Sequence, residues 1–180
     1  MRTILPLDKN PALHEKAQDI PLADIGSKKI RVLIADMKTA LDKEEYGVAL
    51  AASQVGEPLK LFIVSGRALA RDSRNAPDEP DKNEDVRALP DQVYINPELV
   101  KISRGRKDKH EGCLSVRGKW GEVPRAEKAS VRAYDEHGNT FTRGASGFLA
   151  HVFQHEMDHL EGILYTDKAT AIYDEPADDE

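Results

Sequence analysis

The sequence is short of several things, and each shortage closes off a class of protein. It holds a single cysteine, Cys113, so no disulfide can form within the chain. No apolar run approaches the ~18 residues of a membrane-spanning helix, and no basic-then-apolar leader opens the chain. Neither a membrane span nor a secretory signal is therefore expected, and the cytoplasm is the default location. Positive charge is also outweighed, 26 Lys and Arg against 32 Asp and Glu: the net charge of −6 argues against a nucleic-acid binder, which usually carries a basic patch. With 180 residues, 39% hydrophobic and 32% charged, the chain suits one soluble globular domain with a real core.

What is present centres on Gln154-His155-Glu156-Met157-Asp158-His159, inside a helical run from Gly147 to Glu161. On a helix, residues four apart lie one turn above each other, so His155 and His159 point the same way and can share one metal ion. Glu156, beside the first ligand, can reach a water rather than the metal, which is the arrangement of a metallohydrolase. Two histidines four apart also arise by chance on a solvated face, so a third ligand matters. An enzymatic zinc- or iron-type site needs three protein ligands and one open position. Cys113 is the natural third. A lone free cysteine is more often a small buried hydrophobe, but Gly112 and the polar residues around Cys113 favour a loop or strand end. His14, His110 and His137 sit in polar stretches, while His151 lies one turn before His155 and is expected to line the pocket.

Taken in order, residues 1–26 read as an extended arm over the body. Ser27 is an N-cap, and Ile30, Leu33, Ile34, Met37, Ala40 and Leu41 follow at helical spacing, with an end near Tyr46 and Gly47 as the stop. Gly47-Val48-Ala49-Leu50-Ala51-Ala52-Ser53-Gln54-Val55-Gly56 is built of small residues that let a backbone approach a ligand or another element. Leu59 to Val64 is a strand, and Gly66 to Asp91, rich in proline and charge, is a long surface loop. Val93-Tyr94-Ile95 is a strand turned by Asn96-Pro97, and Leu99 to Ile102 continues the sheet. Ser103 to His110 is basic and reads as a solvated connection. Ala129 to Tyr134 and Thr140 to Arg143 flank a hairpin turn. Ser146 caps the metal helix, Gly162 closes it, and Ile163-Leu164-Tyr165 forms a last strand. The expected organisation is one catalytic domain over 1–173 and an acidic, disordered tail over 174–180.

Three of these segments, Gly47 to Gln54, Glu111-Gly112-Cys113-Leu114-Ser115 and Gln154 to His159, resemble in order the three motifs of peptide deformylases: G-x-G-x-A-A-x-Q, E-G-C-L-S and Q-H-E-x-D-H. The likeness extends to Ile4–Ile20, Tyr94-Ile95-Asn96-Pro97-Glu98 and Val123-Pro124-Arg125-Ala126, and so to most of the chain. Two departures stand out. Ala49 occupies the place of the second glycine, and the loop from Gly66 to Asp91 is longer than in many members. The tail is also expected to lack the long C-terminal helix of some bacterial forms.

The resemblance implies an α+β fold, with antiparallel sheets wrapped around the metal helix and the first helix packed outside. It implies hydrolysis of the N-formyl group of formyl-methionine on nascent chains, releasing formate. The metal is one divalent ion, Fe(II) foremost and zinc or nickel able to replace it, on Cys113, His155 and His159. Glu156 moves the proton, and the Gln54 side-chain amide with the Leu114 backbone N–H receives the oxyanion. Gly47, Val48 and Ala49 would lie beside the substrate backbone, and Phe148, His151 and Val152 with Val48 would hold the methionine side chain. Glu111 would pair with Arg125 to brace the cysteine loop. For each pocket residue the alternative is plain core packing, and for the Glu111–Arg125 pair a surface ion pair of little weight. Formylated nascent peptides are the expected partners, with the ribosome near its exit tunnel a further one, and no direct nucleic-acid specificity. Two rival readings remain: a metallopeptidase, which commonly takes a downstream ligand, and a non-catalytic homologue that binds N-termini or ribosomes.

Overall fold

The computed structural model describes residues 1–72 and 89–174. Residues 73–88 and 175–180, which hold most of the expected loop and tail, lie outside the described residues.

Among the described residues, eight strands form two antiparallel sheets. The larger has the order β1-β2-β3-β6-β7, made of β1 (Ala49–Ala51), β2 (Leu61–Val64), β3 (Gln92–Ile102), β6 (Lys128–Tyr134) and β7 (Thr140–Ser146). The smaller has the order β4-β5-β8, made of β4 (Arg106–Cys113), β5 (Val116–Ala126) and β8 (Ala171–Asp174). The expected α+β architecture is the one observed.

The period-2 geometry of a strand explains why β1, β2 and the start of β3 are apolar on both faces. Leu50, Leu61, Ile63, Val93 and Ile95 point to one side, where they meet Ile30, Leu33, Ile34, Met37 and Leu41 of α1 (Lys28–Asp42). Their neighbours Ala49, Ala51, Phe62, Val64 and Tyr94 point to the other, against Leu149, Val152, Phe153 and Leu160 of α3 (Gly147–Leu160). The metal helix is thus a core helix, held between the large sheet and β5. A third cluster of Leu13, Val116, Val123, Leu164 and Tyr165 joins the arm to the small sheet.

Several sequence readings need correction. The arm is not extended throughout but includes three short 3-10 turns (Leu7–Lys9, Pro11–His14, Leu22–Asp24). Ser27 does cap α1, accepting from Ile30 N at 3.3 Å, but the helix stops at Asp42. Gly47 is needed for room: a Cβ there would stand 2.9 Å from the Leu41 carbonyl oxygen. The expected loop begins as a helix, α2 (Gly66–Asp72), because the Ser65 hydroxyl accepts from Ala68 N and Asp91 accepts from Gly66 N, while Ala68 and Leu69 bury themselves. Asn96-Pro97 does not end β3. Asn96 takes a φ of 46° at a bulge, and its side chain bonds both the N–H and the carbonyl of Ile20 at 2.8 Å. The basic stretch is strand from Arg106 on, part of β4, with nearly all its side chains in solvent while its backbone pairs with β5. Ser146 stands at the start of α3 but makes no side-chain cap bond. Ile163-Leu164-Tyr165 is not a strand: the chain turns into the short helix α4 (Tyr165–Lys168), and the last strand is β8. Asp174, assigned to the tail, closes β8 and pairs with Lys119 at 2.7 Å.

Candidate metal centre and active cleft

The donor atoms of Cys113, His155 and His159 lie within 4.8 Å of one another. Two elements bring them together: α3 stacks the histidines one turn apart, and the end of β4 delivers the cysteine. Cys113 Sγ stands 3.4 Å from His159 Nε2. Two ligands of one ion at ~2.3 Å (sulfur) and ~2.1 Å (nitrogen) in tetrahedral array stand about 3.6 Å apart, so the set fits a metal as it stands. His155 Nδ1 donates to Glu111 Oε2 at 2.9 Å, which turns its other nitrogen toward the metal position. A thiolate with two imidazoles suits zinc, iron and nickel alike.

The surrounding charges are buried and joined. Arg125, 3% exposed, holds Glu111 with two bonds of 2.6 and 2.9 Å and donates a third of 2.6 Å to Asp158. Asp158 also accepts from Lys168 at 2.6 Å. The pair is therefore internal, and the surface alternative falls. Burial by itself would raise the Glu111 carboxyl, but Arg125 and His155 hold it down to about 2. Burial likewise opposes ionisation of Cys113, and the adjacent His159 and His155 overcome it, leaving the thiol well below its ordinary value. Glu156 is shifted the other way: burial raises it against the pull of the histidines. Its Oε2 is buried with no hydrogen-bond partner among the described residues.

Gln154 fixes the helix that carries this chemistry. Its amide accepts from Ala126 N and donates to Ala126 O, both at 2.9 Å, like an extra strand residue beside β5.

A cleft of about 840 Å³ opens over the centre. Its floor includes Cys113, His155 and Glu156, and Gln54 and Leu114 lie beside them. Gln54, 2% exposed, is fixed in orientation: its Oε1 accepts from Ala51 N at 2.8 Å, which aims its NH₂ toward Cys113 Sγ and Ser115 Oγ, each at 3.4 Å. Leu114 begins the two-residue turn between β4 and β5. Val48, Ala49, Phe148, His151 and Val152 line the same cleft, whereas Gly47 is packed against α1 outside it. Ala49 sits in β1 opposite Val64, in extended backbone without positive φ. Its methyl group carries no backbone strain.

The sequence reading missed the rim. Arg117 reaches Glu44 across the mouth at 2.7 Å, Arg71 lies 4.5 Å over the Phe148 ring, and Trp120 covers Gly112. These contacts join distant segments and leave no local pattern. Asp158 was also missed, although its place within Q-H-E-x-D-H, three residues after His155, was a signal.

The comparisons agree with this geometry. A family profile described as Polypeptide deformylase matches residues 1–174. A peptide deformylase of Desulforudis audaxviator is 34% identical over 164 residues, covering 91% of each chain. Peptide deformylase 1A, chloroplastic, of Solanum lycopersicum is 39% identical over 163 residues; the match covers 88% of this chain and 56% of the tomato protein's own length. Among solved structures, a peptide deformylase from Legionella pneumophila superimposes with a TM-score of 0.74 at 33% identity, over 94% of this chain and 86% of its own. A class I type b peptide deformylase from Acinetobacter baumannii, solved with Met-Ala-Ser bound, gives 0.76 at 27% identity over 93% and 99%. With motifs, donor set and fold all in agreement, the chain belongs to the polypeptide deformylase family, a family of metal-dependent hydrolases.

Proposed function

We propose that this chain removes the N-formyl group from formyl-methionine at the start of newly made proteins, releasing formate, with Cys113, His155 and His159 as its metal ligands. The observation that carries the reading is the gathering of these three donors, within 4.8 Å of one another, at a cleft lined by Cys113, His155, Glu156 and Gln54. A divalent metal there, Fe(II) by preference and zinc or nickel as substitutes, would supply a water acidified to near neutrality and a Lewis acid for the formyl oxygen.

The chain's own residues do the rest. Glu156, with one buried oxygen uncommitted, takes the proton of the attacking water and returns it to the departing amine. Gln54 Nε2 and the Leu114 N–H donate to the oxyanion of the tetrahedral state, and Gln54 is already oriented by Ala51. The backbone at Val48 and along β1 from Ala49 offers an edge for the substrate peptide to lie along as an added strand. Phe148, Val152 and His151, one helical turn from the ligands, form the wall for the methionine side chain. Glu111 and Arg125 keep His155 turned the right way. The work is that of one catalytic domain in the cytoplasm on formylated nascent peptides, with the ribosome near its exit tunnel as the place of encounter. Among the described residues no helix is long and apolar enough to cross a membrane.

The test is formate release from formyl-Met-Ala-Ser by the metal-loaded protein. Stoichiometric formate with the tripeptide left whole is expected. Cleavage within the tripeptide would indicate the metallopeptidase, and no product at all the non-catalytic homologue.

A further inference from the structure

The two groups read as oxyanion donors come from different sheets. Gln54 follows β1 of the five-stranded sheet, and Leu114 stands in the turn between β4 and β5 of the three-stranded one. The side-chain bonds across that gap are long: Gln54 Nε2 reaches Cys113 Sγ and Ser115 Oγ at 3.4 Å each. A second connection is shorter and lies outside the cleft. Leu5 N donates to the Gln54 carbonyl at 2.9 Å, and Leu7 N donates to the Ser115 carbonyl at 3.0 Å. Asn10 Nδ2 donates to the Ser53 carbonyl at 2.8 Å. Within six residues, the arm grips the residue before Gln54, Gln54 itself and the residue after Leu114.

Asn10 shows that this grip is specific. It is 2% exposed, yet its Oδ1 is buried without a hydrogen-bond partner among the described residues. Burying an amide carbonyl unbonded is costly, and an apolar side chain would fill the space without that cost. What the amide adds is the donor to Ser53. Ile4 packs into the same cluster as Leu114, so apolar contact reinforces the bonds.

We propose that the N-terminal arm from Leu5 to Asn10 is a positioning element for the reaction, with Asn10 its principal side chain. It holds the Gln54 segment and the Leu114 turn at the separation at which both can donate to one oxyanion. The proposal rests on the reading of Gln54 and Leu114 as the donors. Asn10 touches no reacting atom in this scheme and acts through Gln54. The gain therefore falls on the transition state, in kcat, while binding of the ground-state peptide along β1 is left alone.

The test is a double-mutant cycle on the metal-loaded enzyme with formyl-Met-Ala-Ser, with metal content measured on every variant. Gln54→Ala is measured first, and a large loss of kcat is expected. Wild-type kcat in that variant would remove the donor reading itself, before the arm is touched. Asn10→Ala then removes one tether. Leu7→Pro removes another through its backbone N–H, at a position that follows Pro6 in extended backbone (ψ 156°), the conformation a following proline favours. Each is expected to lower kcat at least tenfold, with KM within twofold and metal retained. In the Gln54→Ala background Asn10→Ala should lower kcat no further, and Leu7→Pro, which frees the Leu114 turn, should lower it by less than it does in the wild type. If Asn10→Ala does not fold, Leu7→Pro carries the cycle. Equal losses in both backgrounds would show a merely structural arm and overturn the proposal. So would kcat within twofold of wild type in the folded variants.

Discussion

The floor and the rim of the cleft are built on opposite principles. At the floor, the Arg125–Glu111 pair is almost wholly out of water: Arg125 is 3% exposed and Glu111 7%. On the rim, the Arg117–Glu44 pair joins groups that are 65% and 22% exposed. Both are short contacts between full charges. Burial is what separates them, because a buried ion that loses its partner cannot be rescued by solvent, whereas an exposed one can. Geometry alone would rank the two pairs as equals, and burial decides which one matters.

The comparison can be pressed with substitutions, beginning where the largest effect is expected. Cys113→Ala removes a ligand from the floor and should abolish metal binding and turnover together; stoichiometric metal at unchanged affinity, measured by elemental analysis, would break the ligand assignment. Arg125→Met comes next. It leaves Glu111 buried without its bidentate partner, and the expected loss of unfolding free energy is ~3–5 kcal/mol, read by denaturant titration of the metal-loaded protein. A loss below ~1 kcal/mol would mean that floor and rim pairs are alike after all.

Ala49→Gly tests a methyl group at the border of the two regions. Because Ala49 is extended in β1, the change should alter kcat/KM by less than about fivefold, equivalent to ~1 kcal/mol. A hundredfold rise would mean that Ala49 obstructs the substrate. Arg117→Ala should have the smallest effect, no more than ~0.5 kcal/mol on stability and weaker still in high salt. A loss above 2 kcal/mol would give the rim a structural role that its exposure argues against.

The same contrast explains what was legible in the sequence. That Cys113, His155 and His159 come together was legible because metal chemistry demands particular residue types, and α3 supplied the spacing of the two histidines unaltered. The α1 face was legible for a similar reason: all six residues chosen by period are buried. Segments whose conformation is decided by distant partners were not legible. The basic run is a strand because β5 pairs with it, Asn96 passes through a bulge because the arm needs its side chain, and α2 begins where Ser65 and Asp91 supply its first bonds. Gly47 looked like a helix stop with special backbone freedom, but its role is clearance from the Leu41 carbonyl. Charge composition gave no hint of which ion pair would be buried.

The central claim is that Glu156 moves the proton while Cys113, His155 and His159 alone hold the metal. The most direct test is to measure metal content and kcat for formyl-Met-Ala-Ser on the same preparation of Glu156→Gln. The account predicts wild-type metal occupancy with kcat lowered by ~10²-fold or more, because the amide keeps the shape but cannot accept the proton. Near-normal turnover, or loss of the metal along with the activity, would contradict it.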